Sequence, residues 1–134
     1  MNNLKKDIII ATGGTGGHIF PAVSLADYLN KNGFNTIITT DKRGLKFIDD
    51  KYSKKTVLIN SSSLNKKNIL TSIFKIIFAF LNSLFFLIKK KPKFIFGMGG
   101  YASFPVCLAG VILRIPFVIY ENNLLIGKAN RYLT

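Results

Sequence analysis

Three consecutive isoleucines, Ile8 to Ile10, lead almost at once into Gly13-Gly14-Thr15-Gly16-Gly17-His18. That junction constrains the fold more than any other feature of the chain. A continuous apolar run suits a strand buried on both faces, which implies a parallel sheet covered by helices on both sides. Glycines let the backbone turn sharply and approach a ligand closely, and the N–H groups that open a following helix attract negative charge. A structural turn accounts for one or two glycines but poorly for four around a threonine.

The rest of the chain alternates in the same manner. Strand-like segments fall at residues 7–12, 35–40, 56–60, 94–97 and 116–120. Helix-like segments fall at 20–32, 43–50, 67–90, 103–113 and 125–133, with Pro21 placed in the first turn of its helix and Gly33 as a stop. Strands separated by helices imply right-handed crossovers, so the expected fold is α/β, a Rossmann-like parallel sheet flanked by helices. The 134 residues fit one domain, and a 49% hydrophobic content is ample for its core. There is no internal repeat, linker or domain boundary. The chain stops at Thr134 inside a helical pattern without a cap, which reads as a truncation or as one half of something larger.

The net charge of +13 favours acidic partners: phosphates, nucleic acid or an anionic membrane. Part of the lysine excess can equally reflect A/T-rich codons, so the clustering of lysines is more informative than their number. Cys107 is the only cysteine, which excludes an intrachain disulfide, and its apolar setting suits a core thiol. The apolar stretch after Lys5 and Lys6 is too short for a secretory signal. Two nucleotide signatures fail. The glycine spacing is not Gly-x-Gly-x-x-Gly with an acidic ribose partner, and no Gly-Lys-Ser/Thr follows, so dinucleotide and ATP binding are demoted.

His18 is the only histidine. A lone histidine is more often structural than catalytic, but its position at a helix start beside the glycines favours proton transfer. A second glycine turn, Gly97-Met98-Gly99-Gly100-Tyr101, follows the fourth strand as the first turn follows the first strand. Tyr120-Glu121-Asn122-Asn123 follows the fifth. Three polar loops on one rim describe a cleft for a polyhydroxylated, anionic ligand. Taken singly, Glu121 also suits a helix start and Asn123 a turn.

Those three motifs, with Ile19-Phe20-Pro21-Ala22 after the first and Gly127 and Asn130 after the third, resemble the MurG family of glycosyltransferases (family 28) over almost the whole chain. The resemblance implies the N-terminal half of a GT-B fold. It also implies inverting transfer of N-acetylglucosamine from UDP-N-acetylglucosamine to lipid I, forming lipid II in peptidoglycan synthesis, with no cofactor or essential metal. The absence of Asp-x-Asp agrees. By resemblance His18 is the general base and Thr15, Gly16 and Gly17 meet the donor. Asn123 contacts the sugar, and Tyr101 and Glu121 line the acceptor side. His18 and Glu121 are thus the catalytic candidates. Gly14, Gly99, Gly100 and Asn130 join the substrate-binding candidates. The sequence departs from the family at Tyr120, where histidine is common, and at Asn122, where glutamine is common. By the same resemblance, residues 1–134 are expected to be the acceptor- and membrane-side domain, truncated and without the C-terminal donor domain.

Residues 69–88 carry one charge, Lys75, and are nearly long enough to span a bilayer. On a helical wheel Thr71, Ser72, Lys75, Asn82 and Ser83 share one stripe about 120° wide, as do the flanking Asn68, Lys89 and Lys90. The rest of the circumference is apolar, more than packing on a sheet requires. The surplus, with Phe74, Phe78, Phe80, Phe85 and Phe86 among its candidates, suits a membrane interface, and Lys66, Lys67, Lys89, Lys90, Lys91 and Lys93 suit anionic lipid. Spanning would put strands of one sheet on opposite sides of the membrane, and a plain core helix is the bland alternative. The expected location is therefore peripheral, on the cytoplasmic face of the bacterial inner membrane, with the anionic surface met through residues 67–93. A donor-domain partner is expected and nucleic acid is not, since no nucleic-acid motif is present. The competing readings are a non-catalytic membrane-binding subunit that needs a separate UDP-sugar-binding chain, and a nonfunctional fragment.

Overall fold

Three residues of β1, Ile8, Ile9 and Ile10, are almost wholly removed from water. Burial of a side chain of that size contributes roughly 1.5–3 kcal/mol each. A computed structural model describes residues 7–60, 66–121 and 131–133. The order is β1 (Asp7–Ala11), α1 (Gly16–Lys31), β2 (Asn35–Thr40), α2 (Lys42–Leu45), β3 (Thr56–Leu58), α3 (Ile69–Lys90), β4 (Phe94–Gly97), α4 (Ser103–Ile112) and β5 (Phe117–Ile119). A 3-10 segment, Asp50–Lys55, precedes β3.

All four strand pairings are parallel, and the sheet order is β3-β2-β1-β4-β5. Alternation along β1 divides the core in two. Ile8 and Ile10 pack with Ala22, Ala26 and Leu29 of α1, while Ile9 and Ala11 pack with Ala79 and Leu87 of α3 and Val106, Cys107 and Ala109 of α4. The chain winds outward from β1 to β3, then α3 carries it back across the sheet to β4. The direction of winding therefore reverses between β1 and β4, and in open α/β sheets the ligand crevice lies at the carboxyl ends of such a strand pair.

The fold class is the expected one, and β2 and β4 keep their expected limits. Three local readings need correction. The first helix begins at Gly16, four residues before the expected start, because Thr15 is extended at the N-cap and the chain has already turned at Gly14 (φ 84°). Pro21 is consequently the sixth residue of α1, past the first turn. The helix expected at 43–50 shrinks to α2, where Asp41 caps the N-terminus by accepting from the Gly44 N–H at 2.9 Å.

The third correction concerns α3. Its polar stripe does not all face water. Ser72 and Ser83 point inward and are buried, and the Ser83 hydroxyl donates to its own helix at the Ala79 carbonyl, 2.7 Å away. Such a back-bond satisfies a serine without a partner from elsewhere. Ser72, Ala79, Ser83 and Leu87 thus form the buried face, and a ridge of bulky apolar residues lies outside. Leu70, Phe74, Phe78, Leu81, Phe85 and Ile88 are all at least half exposed on the opposite face. Phe80 and Phe86 instead pack partly against the core. Residues 61–65 and 122–130, which include part of the helix expected at 125–133, lie outside the described residues.

Candidate functional site

The rim of the sheet is set by its register. Thr39 pairs with Ala11, Ala11 with Gly97, and Gly97 with Ile119, so four parallel strands finish on one row. The segments that leave this row bring together Asp41, the first glycine turn, the second glycine turn, and Tyr120 with Glu121.

The two glycine turns interlock through backbone. Gly14 (φ 84°), Gly99 (φ 95°) and Gly100 (φ 84°) all occupy the left-handed region that side chains resist. A Cβ on Gly100 would lie 2.5 Å from the Gly13 carbonyl oxygen, and one on Gly13 would lie 2.6 Å from the Ala102 Cβ. A Cβ on Gly99 would meet the His18 imidazole, 2.7 Å from Nδ1. Hydrogen bonds finish the second turn. The Met98 N–H donates to the Ala11 carbonyl at 2.8 Å, and the Ser103 hydroxyl to the Gly100 carbonyl at 2.9 Å.

Thr15 caps α1 with its backbone carbonyl, which accepts from the N–H groups of His18 and Ile19, both at 3.1 Å. Its side chain makes no capping bond and is exposed. The first turn of α1 carries no acidic residue, so nothing there offsets the pull of the helix N-terminus on an anion. Gly17 is exposed, and Gly14, Gly16 and His18 are half-buried. His18 Nδ1 is buried and has no hydrogen-bond partner among the described residues. Close packing on Gly99, not a polar partner, therefore fixes the ring.

Asp41 was not anticipated as part of this site. It follows β2 directly, so an acidic residue does stand near the place of a ribose partner, contrary to expectation. The carboxylate is buried and already engaged. Oδ1 accepts from the N–H groups of Gly14 (3.3 Å) and Gly44 (2.9 Å), and Oδ2 from Arg43 Nη2 (3.0 Å) and Nε (3.3 Å). Its role is to hold the first glycine turn across the gap between β1 and β2. The signal available in the sequence was an aspartate closing a β-branched run. The bond to Gly14, 27 residues back, was not legible.

Tyr101 is partly exposed beside the second turn. The Tyr120 N–H donates to the Gly97 carbonyl at 2.7 Å, which holds the third loop to the second, and Glu121 follows it at the rim. Asn122, Asn123, Gly127 and Asn130 lie outside the described residues. No group of three His, Cys, Asp or Glu side chains stands together among the described residues.

Comparison with known proteins agrees with this geometry. Residues 8–134 match the glycosyltransferase family 28 N-terminal domain. The chain is 42% identical over 126 residues to the UDP-N-acetylglucosamine--N-acetylmuramyl-(pentapeptide) pyrophosphoryl-undecaprenol N-acetylglucosamine transferase of the Wolbachia of Drosophila simulans, covering 94% of this chain and 35% of that protein. It is 35% identical over 130 residues to the transferase of the same name from Pelagibacter ubique, covering 96% of this chain and 36% of that protein. Its fold is similar to the crystal structure of Acinetobacter baumannii MurG, with a TM-score of 0.83 at 27% identity, covering 96% of this chain and 38% of that one. The chain therefore spans little more than a third of these relatives.

Proposed function

The chain belongs to the glycosyltransferase family 28 N-terminal domain family, and from that premise we propose that it forms the acceptor-side half of an N-acetylglucosaminyltransferase. The reaction proposed is transfer from UDP-N-acetylglucosamine to lipid I, giving lipid II. The observation that carries this reading is the interlocked pair of glycine turns at the winding reversal, with His18 packed into it.

In this reading His18 takes the proton of the acceptor hydroxyl as its oxygen attacks the anomeric carbon. The bond from that carbon to the diphosphate breaks, UDP leaves with the electron pair, and the configuration inverts. N–H groups of the first glycine turn and the exposed Thr15 hydroxyl steady donor oxygens. Tyr101 and Glu121 face the acceptor, and Asn123 and Asn130 meet the substrates. The UDP-sugar is held by a further domain that closes over this rim.

We propose also that α3 lies in the surface of an anionic membrane on its cytoplasmic face. What supports this is the inverted burial of the helix: the bulky apolar ridge points away from the protein, with Thr71, Lys75, Asn82 and Lys89 along its edge. α3 is long and apolar enough to cross a membrane. However, it links two strands of one sheet and packs on that sheet through Ala79 and Leu87, which favours lying on the membrane.

The test is incorporation of labelled N-acetylglucosamine into an undecaprenyl-linked acceptor. It is run by the chain alone and by the chain joined to the C-terminal part of the Wolbachia relative. Transfer by the joined form only is expected. Turnover by the 134 residues alone overturns the half-enzyme reading. Turnover by neither form overturns the transferase reading and leaves a membrane-binding subunit.

A further inference from the structure

A pocket of about 670 Å³ opens between the segment that follows β2 and the exposed side of α3. Arg43 ties it to the first glycine turn: it lines the pocket, and its Nη2 stands 3.5 Å from where a Cβ on Gly14 would lie. The volume falls within the roughly 300–1,000 Å³ typical of small-molecule sites and exceeds what a single anionic group fills. One wall is cationic, with Lys42 and Arg43 from α2 and Lys75 from α3. Asp41 is the one carboxylate among the described residues that line it, and both of its oxygens are already engaged by Gly14, Gly44 and Arg43. Neither lysine is in an ion pair among the described residues. Arg43 gives Asp41 its Nε and Nη2, and a guanidinium carries five N–H groups, so others are left for a ligand.

The remaining lining is of two further kinds. Asn60 and Thr71 are uncharged, and each can both donate and accept, as the N–H and C=O groups of a peptide require. Phe74 and Phe78 are mostly exposed rings that offer apolar surface to aliphatic side chains. A plain anion would use the cations and leave the amide, the hydroxyl and the rings idle. A short peptide that carries a carboxylate meets all three kinds of surface at once.

The transferases similar to this chain are named for an N-acetylmuramyl-(pentapeptide) pyrophosphoryl-undecaprenol. Muramyl is an acyl group, so its peptide is joined through the amino end and keeps a free carboxylate at the other. We propose that the pocket is the subsite for the peptide of such an acceptor, with the carboxylate among Lys42, Arg43 and Lys75 and the amides on Asn60 and Thr71. The proposal rests on the reading of the rim as the acceptor side of a transferase. It adds that the acceptor is selected by its peptide as well as by its reacting sugar.

The experiment uses the whole chain and three soluble probes that hold neither phosphate nor lipid: N-acetylmuramyl-pentapeptide, the same molecule with its C-terminal carboxylate converted to an amide, and N-acetylmuramyl methylamide. Binding is followed by calorimetry and by chemical-shift changes at Asn60, Thr71 and Lys75. Saturable one-to-one binding of the pentapeptide is expected, about tenfold weaker for its amide, as loss of a charge-assisted bond predicts. The methylamide should leave those three residues unmoved. Lys75→Gln and Lys42→Gln should each weaken the acid and narrow its advantage over the amide, whereas Lys54→Gln, an exposed charge outside the pocket, should change neither. In the chain joined to the C-terminal part of the Wolbachia relative, Lys75→Gln should raise KM for a peptide-bearing acceptor with kcat kept, and leave KM for a peptide-free acceptor unchanged. Absence of saturable binding overturns the proposal. So does equal binding of acid and amide, or a loss in the Lys54 variant as large as in the other two. Failure of the transferase reading is seen separately, as a joined protein that transfers no sugar while the chain still binds the soluble pentapeptide.

Discussion

Gly99 and His18 meet with no room for a methyl group between them. The imidazole sits where the Cβ of any other residue at 99 would be, 2.7 Å from its Nδ1. Because that nitrogen has no polar partner among the described residues, packing alone sets where the ring points. A residue from β4's loop thus positions a residue from β1's loop, and the site is complete only when both strands end on the same row.

Gly99→Ala should therefore displace the ring and strain a backbone at φ 95°. Activity is read in the chain joined to a donor domain. A fall in kcat of roughly 10²-fold is expected, close to that of His18→Ala, the usual scale for losing a general base. Circular dichroism should show the fold kept. A His18→Ala enzyme with unchanged kcat would end the role of His18 as base.

Asp41→Ala leaves the N–H groups of Gly14 and Gly44 without their acceptor. Urea denaturation should show a loss of about 1–3 kcal/mol, the cost of an unmet buried donor. Asp41→Asn keeps one acceptor oxygen and should cost less. Equal stability of all three proteins would show that the carboxylate does not hold the turn.

Burial pushes the Cys107 thiol up to about 12. In the unfolded chain a thiol ionises near pH 8.5, so above that value the unfolded state loses a proton that the folded state keeps. Stability should fall as pH rises through this window toward 12, and Cys107→Ala should flatten that limb. Iodoacetamide at pH 8 should label the thiol only on unfolding. Rapid labelling of the native chain would contradict the burial.

Leu81→Glu and Phe85→Glu fall on the exposed ridge of α3. Both side chains are mostly exposed, so stability should change by less than about 0.5 kcal/mol. Flotation with vesicles containing phosphatidylglycerol should drop sharply. Unchanged flotation would refute the proposed seat of the helix.

Where the sequence spoke through local chemistry it was legible. The isoleucine run, the glycine turns and the strand limits at Asn35, Thr40, Phe94 and Gly97 were readable because burial and backbone freedom are written residue by residue. The start of α1 was misplaced because Gly16 and Gly17 are poor helix formers. Burial of Ile19, Ala22, Ala26 and Leu29 overrides that preference. The inward turn of Ser72 and Ser83 escaped for a related reason. Hydropathy scores a serine as polar, whereas one bonded to its own helix can be buried where a close approach needs a small residue. Asp41 escaped because its meaning lies in a bond spanning 27 positions.

The contact between Gly100 and the Gly13 carbonyl has one more consequence. It is a stop made of excluded volume, with no charge in it, so neither salt nor pH should loosen it. The attraction of the lysine-edged helix for a lipid surface is the opposite kind of force and weakens as ions are added. Ionic strength should therefore act as a dial on delivery of the domain to its surface while the seat of Gly100 against Gly13 stays constant.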